Sequence, residues 1–134
     1  MPKHTHILIE ELVKRSIQAK NRAYAPYSGF RVGACVLTTN GRIYCGANIE
    51  NASYSLTICA ERVAIFRAVF EEEKGFTAIA ISTDSDEFVY PCGACRQVIS
   101  EFSDNPDVIL INKNGETKTV KFKQIFPDAF RLKR

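Results

Sequence analysis

The sequence has 134 residues, 46% of them apolar, with 18 Lys and Arg against 15 Asp and Glu for a net charge of +3. That is enough chain for one domain with a buried core, spanning residues 1–134, and too little for two. The charge is too mildly basic to argue for nucleic acid, and no apolar run approaches the roughly 18 residues of a membrane helix. The positive excess sits late, at Lys113, Lys118, Lys121, Lys123, Arg131, Lys133 and Arg134. Spread in this way, it reads as a solvated face. Met1 to His6 carries no signal-peptide core, so a soluble, cytoplasmic protein is expected, with neither nucleic acid nor membrane as partner.

The first element is a helix over Leu8 to Lys20, where Ile9, Leu12, Val13, Ser16 and Ile17 recur at helical spacing. Ala25-Pro26-Tyr27-Ser28-Gly29 interrupts it. Val32 to Thr38 reads as a strand, Asn40-Gly41 as a hairpin turn and Ile43 to Asn48 as the returning strand. A loop over 49–57 leads into a helix from about Cys59 to Lys74. That helix is apolar on nearly every side, so it should be buried against a sheet, other helices or other subunits. Thr77 to Thr83 is a continuous apolar strand, as in a sheet covered on both faces.

After a loop over 84–91, Cys95, Val98, Ile99 and Phe102 fall at i, i+3, i+4 and i+7 of a short helix. Val108 to Ile111 is another buried strand. Asn114-Gly115 is a second turn, Thr117 to Phe122 a last strand, and the tail holds a helical turn. This order predicts one α/β layer protein with a mixed sheet of about five strands and helices on both faces.

Five cysteines is an odd number, which argues against an extracellular disulfide framework and for metal ligation or catalysis. Two segments carry the chemistry: Cys59-Ala60-Glu61-Arg62 and Pro91-Cys92-Gly93-Ala94-Cys95. Each stands where a helix begins, and the positive end of a helix dipole favours the thiolate that zinc requires. Cys92 and Cys95, three apart, share one helix side.

Three cysteine ligands would leave a fourth zinc position for water, the pattern of a catalytic rather than a structural site. A Glu two residues after the first Cys, followed by Pro-Cys-x-x-Cys, is the arrangement of zinc deaminases, in which the Glu is not a ligand. Glu61 is therefore expected to work on that water. A structural zinc completed by His4 or His6 is the competing reading. Cys35 and Cys45 are read as small buried hydrophobes outside the site.

Together with Asn48-Ile49-Glu50-Asn51-Ala52 and Arg96-Gln97, these segments resemble the small homotetrameric cytidine deaminases, over about Tyr24 to Phe130. The resemblance implies a three-layer fold and one zinc ion per chain. It also implies hydrolysis of cytidine or 2′-deoxycytidine to uridine or 2′-deoxyuridine plus ammonia. Glu61 would move the protons. Phe30, Asn48, Glu50 and Ala60 would contact the nucleoside, Asn48 and Glu50 at its ribose. Phe130 would reach a neighbouring subunit's site, and Arg62 would offset the charge of the thiolates. Tyr90 stands where the family carries Ser or Thr, and Ser55-Leu56-Thr57 lacks a common Pro or Gly. A deaminase of modified cytosines, a polynucleotide deaminase and a zinc-stabilised binding module are the alternatives.

Overall fold

The computed structural model describes residues 2–132. Lys133 and Arg134 of the basic tail lie outside them, as does the side chain of His4. Helix α1 spans Pro2–Lys20, beginning earlier than the apolar periodicity indicates. Strands β1 (Val32–Thr38) and β2 (Ile43–Ala47) form the expected hairpin. After a 3-10 turn at Tyr54–Leu56, helix α2 covers Ala60–Phe70 and leads to β3 (Phe76–Thr83). Helix α3 (Gly93–Phe102), β4 (Asp107–Ile111), β5 (Thr117–Lys121) and α4 (Phe122–Ile125) complete the chain.

The strands make one sheet in the order β2-β1-β3-β4-β5, parallel at β3–β4 and antiparallel elsewhere. The alternation of each strand divides the core in two. Leu12 and Ala19 of α1 pack with Cys35, Leu37, Ala78, Ala80, Ile109 and Ile111 on one face. Ala64, Ile65 and Ala68 of α2 and Ile99 of α3 pack with Val36, Ile79, Ile81 and Leu110 on the other. The expected mixed five-stranded sheet between helical layers is present.

Two glycines set how closely the helices approach. A Cβ on Gly33 would lie 2.2 Å from the Ser16 carbonyl oxygen and 2.4 Å from the Lys20 nitrogen, both backbone of α1. A Cβ on Gly46 would lie 2.7 Å from the backbone nitrogen of Ala64 in α2. One glycine per face thus seats a helix directly on the strand backbone.

Three expectations are corrected, and the surroundings of α2 are defined. Helix α2 stops at Phe70 rather than Lys74. Glu72 adopts a left-handed φ of 63°, and the Glu72 and Glu73 N–H groups bond back to the Val69 and Ala68 carbonyls. That is a Schellman closure with Glu where Gly is usual. The last strand ends at Lys121 because Phe122 turns inward and opens α4, 1% exposed.

Cys35 and Cys45 are not free hydrophobes. They face each other across β1–β2 with Cα atoms 4.0 Å apart and are joined in a disulfide. The ladder bonds Thr38 N–H to the Arg42 carbonyl and Asn48 N–H to the Val32 carbonyl. The odd-numbered pair between them is therefore non-hydrogen-bonded, the closer kind of cross-strand pair. Finally, α2 buries only one side of its apolar surface within this chain. Phe66, Val69 and Phe70 are exposed, Phe70 by 84%.

Gly33→Ala should cost about 3 kcal/mol, near the upper end of overpacking penalties, because its new methyl meets helix backbone rather than a movable side chain. Urea unfolding checks this; a loss below about 1 kcal/mol would mean that α1 slides away cheaply.

Candidate metal centre and nucleoside site

Helix α2 feeds β3 through residues 71–75, and β3 feeds α3 through residues 84–92. Both helices thus begin at the carboxyl end of β3, where open α/β sheets place their ligands. Cys59 is the N-cap of α2 and Cys92 the N-cap of α3, and neither side chain caps its own helix. Both sulfurs are left for other work. Cys95 lies one turn into α3 and is fully buried.

The three Sγ atoms lie within 4.8 Å of one another, Cys59 and Cys92 at 3.8 Å. Arg62 donates from Nη2 to Cys59 Sγ at 3.4 Å, while its Nε is buried without a partner among the described residues. His6, the other candidate ligand, pairs instead with Glu10 along α1, at 3.1 Å.

The electrostatics follow from this crowding. Hydrogen bonding from the Cys95 thiol, aided by Arg62 and Cys92 and opposed by burial, pulls Cys59 far below the ordinary thiol range. The same contact with Cys59, with burial and the Glu61 charge, pushes Cys95 up. Cys59 ionises readily beside the guanidinium; Cys95 resists. Three thiolates at this spacing need a cation.

Zinc fits the cluster. Metal–sulfur bonds of roughly 2.3 Å at tetrahedral angles separate the sulfurs by about 3.8 Å, and three ligands leave a fourth position open. Glu61, on the first turn of α2, is 5% exposed. Burial raises its carboxyl to about 7, and the Cys59 charge adds to the shift.

The segment that carries Asn48 and Glu50 is tied to the chain just before Cys59. Ile49 pairs with Ile58 in both directions, and Tyr24 bonds to Asn48 and Glu50 through the backbone. The 48–50 segment is thereby stitched to the residue before Cys59. Asn48 Oδ1 accepts the Val32 N–H and its Nδ2 donates to the Phe30 carbonyl, both at 2.9 Å. Glu50 Oε1 accepts the N–H groups of Tyr27 (2.9 Å) and Ser28 (3.1 Å), and Oε2 accepts the Ser28 hydroxyl. The Ser28 bonds, with that of Tyr27 and against burial, lower the Glu50 carboxyl. Both side chains therefore hold the 27–32 loop, a role not anticipated from the sequence.

Phe30 is 37% exposed on that loop, and Ala60 is buried at the start of α2. Phe130 does not close over the site of its own chain. Gln97 Nε2 holds its carbonyl at 2.9 Å, and the residue is 65% exposed.

Three contributors escaped the sequence reading. Ser28 links Glu50 to the Phe30 N–H at 3.0 Å. Arg96 donates from Nε to the Pro91 carbonyl at 2.7 Å and from Nη1 to the Ile125 carbonyl at 2.6 Å, bracing the turn before Cys92. Asp84 holds Arg31. Each has a partner at least 22 positions away, which no local pattern marks. The Tyr90 ring packs on the core beneath Lys118, whose Nζ lies 5.7 Å from its centroid. A groove of about 670 Å³ runs along the bare side of α2 between Ile49, Leu56, Phe66 and Phe70 and reaches Glu50. No helix among the described residues is long and apolar enough to cross a membrane.

Comparison with known proteins points the same way. The family described as "Cytidine and deoxycytidylate deaminase zinc-binding region" matches residues 7–111. A cytidine deaminase of Sporosarcina psychrophila is 46% identical over 123 residues, 91% of this chain and 90% of the relative. One of Halalkalibacterium halodurans is 47% identical over 120 residues, covering 89% and 91%. The crystal structure of cytidine deaminase from Burkholderia pseudomallei superposes with a TM-score of 0.86 at 40% identity, over 90% of this chain and 98% of that one.

The cysteine inventory is open to titration. Denatured, metal-stripped protein without reductant should expose three reactive thiols, from Cys59, Cys92 and Cys95, and the native protein should hold one zinc per chain. Five thiols would exclude the Cys35–Cys45 bond; zinc retained after Cys92→Ser and Cys95→Ser together would exclude this centre.

Proposed function

The chain belongs to the cytidine deaminase family, and from that premise we propose that it hydrolyses free cytidine and 2′-deoxycytidine to uridine and 2′-deoxyuridine, releasing ammonia. We place it in pyrimidine salvage in the cytoplasm, as a single deaminase domain. The observation that carries the reading is a buried carboxyl, Glu61, beside three sulfurs that together suit one catalytic metal.

Cys59, Cys92 and Cys95 would hold zinc, which would supply an acidified water as the nucleophile for C4 of the pyrimidine. Glu61 takes a proton from that nucleophile and passes it to N3. It then takes the second proton, from the hydroxyl newly attached to C4, and delivers it to the leaving amine as the C4–N bond breaks and the C4 carbonyl forms. One carboxyl can serve as base and then acid when it reaches both atoms and sits where either protonation state is accessible. Arg62 offsets part of the thiolate charge through its bond to Cys59.

Hydrogen-bonding capacity is left for the ribose. Asn48 uses one amide hydrogen on the Phe30 carbonyl, so its second can meet a hydroxyl. Glu50 Oε1 is occupied by two backbone N–H groups, whereas Oε2 meets only the Ser28 hydroxyl and can accept the 3′-hydroxyl as well. Phe30 offers its ring face to the flat base. Ala60 opens α2, where backbone N–H groups lack intrahelical acceptors and can bond a base oxygen.

The assembly we propose is a homotetramer with shared sites. Phe66, Val69 and Phe70, with Ile49 and Leu56, leave a contiguous apolar surface around one groove and the exposed side of α2. Such surfaces mark association. Phe130, exposed at the tail, would enter a neighbour's site.

Zinc-loaded protein should convert cytidine with ultraviolet change and ammonia release in step, both lost to a chelator. Glu61→Gln should lower turnover by at least about 100-fold with zinc retained. Surviving turnover, or loss of zinc as well, would remove Glu61 from this role. Sedimentation should give four times the 15.0 kDa chain mass. Phe130→Ala should raise KM about tenfold, the scale of one lost aromatic contact. A fully active monomer would contradict the shared site.

A further inference from the structure

We propose that Asp84 is a positioning residue for the nucleoside site, joining the loop that carries Phe30 to the segment that carries Cys92 and Cys95. The inference rests on the reading of Phe30 as a base contact.

Asp84 is the first residue after β3, at the head of the connection that ends in Cys92. Its Oδ2 accepts the backbone N–H of Arg31 at 3.1 Å and the Arg31 Nε at 3.0 Å. Its Oδ1 accepts Arg31 Nη2 at 3.3 Å and Lys20 Nζ at 3.2 Å. Lys20 Nζ also donates to the Thr83 carbonyl at 3.2 Å, and Arg31 Nη1 to Asn21 Oδ1 at 3.4 Å. One carboxylate therefore gathers the end of α1, the loop before β1 and the carboxyl end of β3.

A surface ion pair of this type ordinarily contributes little. Two features set Asp84 apart. It accepts a main-chain N–H as well as a two-pronged guanidinium, so it fixes backbone and not only a mobile side chain. Its second cation is largely buried, with the Lys20 side chain 11% exposed. Burial pushes the Asp84 carboxyl up, but Arg31 and then Lys20 outweigh it and hold it below the usual carboxylate range.

The Phe30 peptide groups and the next two N–H groups are all held by side chains. The Phe30 N–H goes to Ser28 Oγ and its carbonyl to Asn48 Nδ2; the next N–H goes to Asp84 and the one after to Asn48 Oδ1. Asn48 and Glu50 hold the loop from the β2 side. Asp84 holds it from the carboxyl end of β3, next to the Val32–Thr83 ladder pair, and so helps to fix where Phe30 stands relative to the segment that leads to Cys92. It touches neither substrate nor metal, so its loss should weaken binding more than chemistry.

The test is steady-state kinetics on cytidine with zinc analysis, for Asp84→Asn, Arg31→Ala and the double variant. Asp84→Asn should raise KM about tenfold, the scale of one lost charge-assisted hydrogen bond, with kcat within about twofold and one zinc per chain. Arg31→Ala should do the same, and the double variant should be little worse than either, because the two residues act as one unit. Unchanged KM, additive effects or lost zinc would overturn the proposal. Should Asp84→Asn not fold, Arg31→Ala alone decides by the same KM readout, since it leaves the Lys20–Asp84 pair in place. Phe30→Ala separates the premise: a normal KM there overturns the base-contact reading and this inference with it. A raised KM in Phe30→Ala beside a normal one in Asp84→Asn overturns only the role of Asp84.

Discussion

Everything at the candidate site depends on two helices beginning at the same end of β3. The parallel β3–β4 pair with α3 as its crossover forces α3 to start at the carboxyl edge. The short link from α2 into β3 brings the other helix start to the same edge. Cys59 and Cys92 then meet as N-cap residues, with Cys95 one turn below. Three sulfurs packed this closely in a partly dry environment cannot all ionise by themselves. The fold has built a charge problem that a divalent, sulfur-loving cation resolves, and the guanidinium of Arg62 shares the remainder.

The polar residues around this centre are arranged to hold backbone. Asn48, Glu50, Ser28 and Asp84 together satisfy the main-chain N–H groups of Tyr27, Ser28, Phe30, Arg31 and Val32 and the Phe30 carbonyl. A loop with its amides spent in this way has little freedom left, so the ring of Phe30 needs little ordering when a ligand arrives. Precision at the site thus comes from side chains on the sheet and its edges reaching outward to an irregular segment.

Close helix seating and exposed apolar surface are two sides of one design. Gly33 and Gly46 let α1 and α2 lie directly on the sheet, so the inner face of α2 can be made of Ala60, Ala64 and Ala68. Ile65 is the large residue that still packs inward, while Phe66, Val69 and Phe70 stand on the outer face and remain exposed. A helix apolar all round is a poor surface element for a monomer.

Much of this protein is legible in local pattern. The strands, both Asn-Gly turns, the helix starts at Cys59 and Cys92, and the grouping of three cysteines with Glu61 follow from periodicity and spacing, because those signals are short-ranged. What tertiary structure alone decided depends on register and on partners far apart in the chain. Cys35 meets Cys45 because both fall at a non-hydrogen-bonded pair of one hairpin. Helix α2 ends at Phe70 because Glu72 takes a left-handed conformation that no residue preference announces. Asn48 and Glu50 clamp a loop some 20 residues earlier, and Asp84 reaches back 53 positions to Arg31. A sequence states which groups need partners; only the folded chain, by fixing distances to within a hydrogen bond, decides which partners they find.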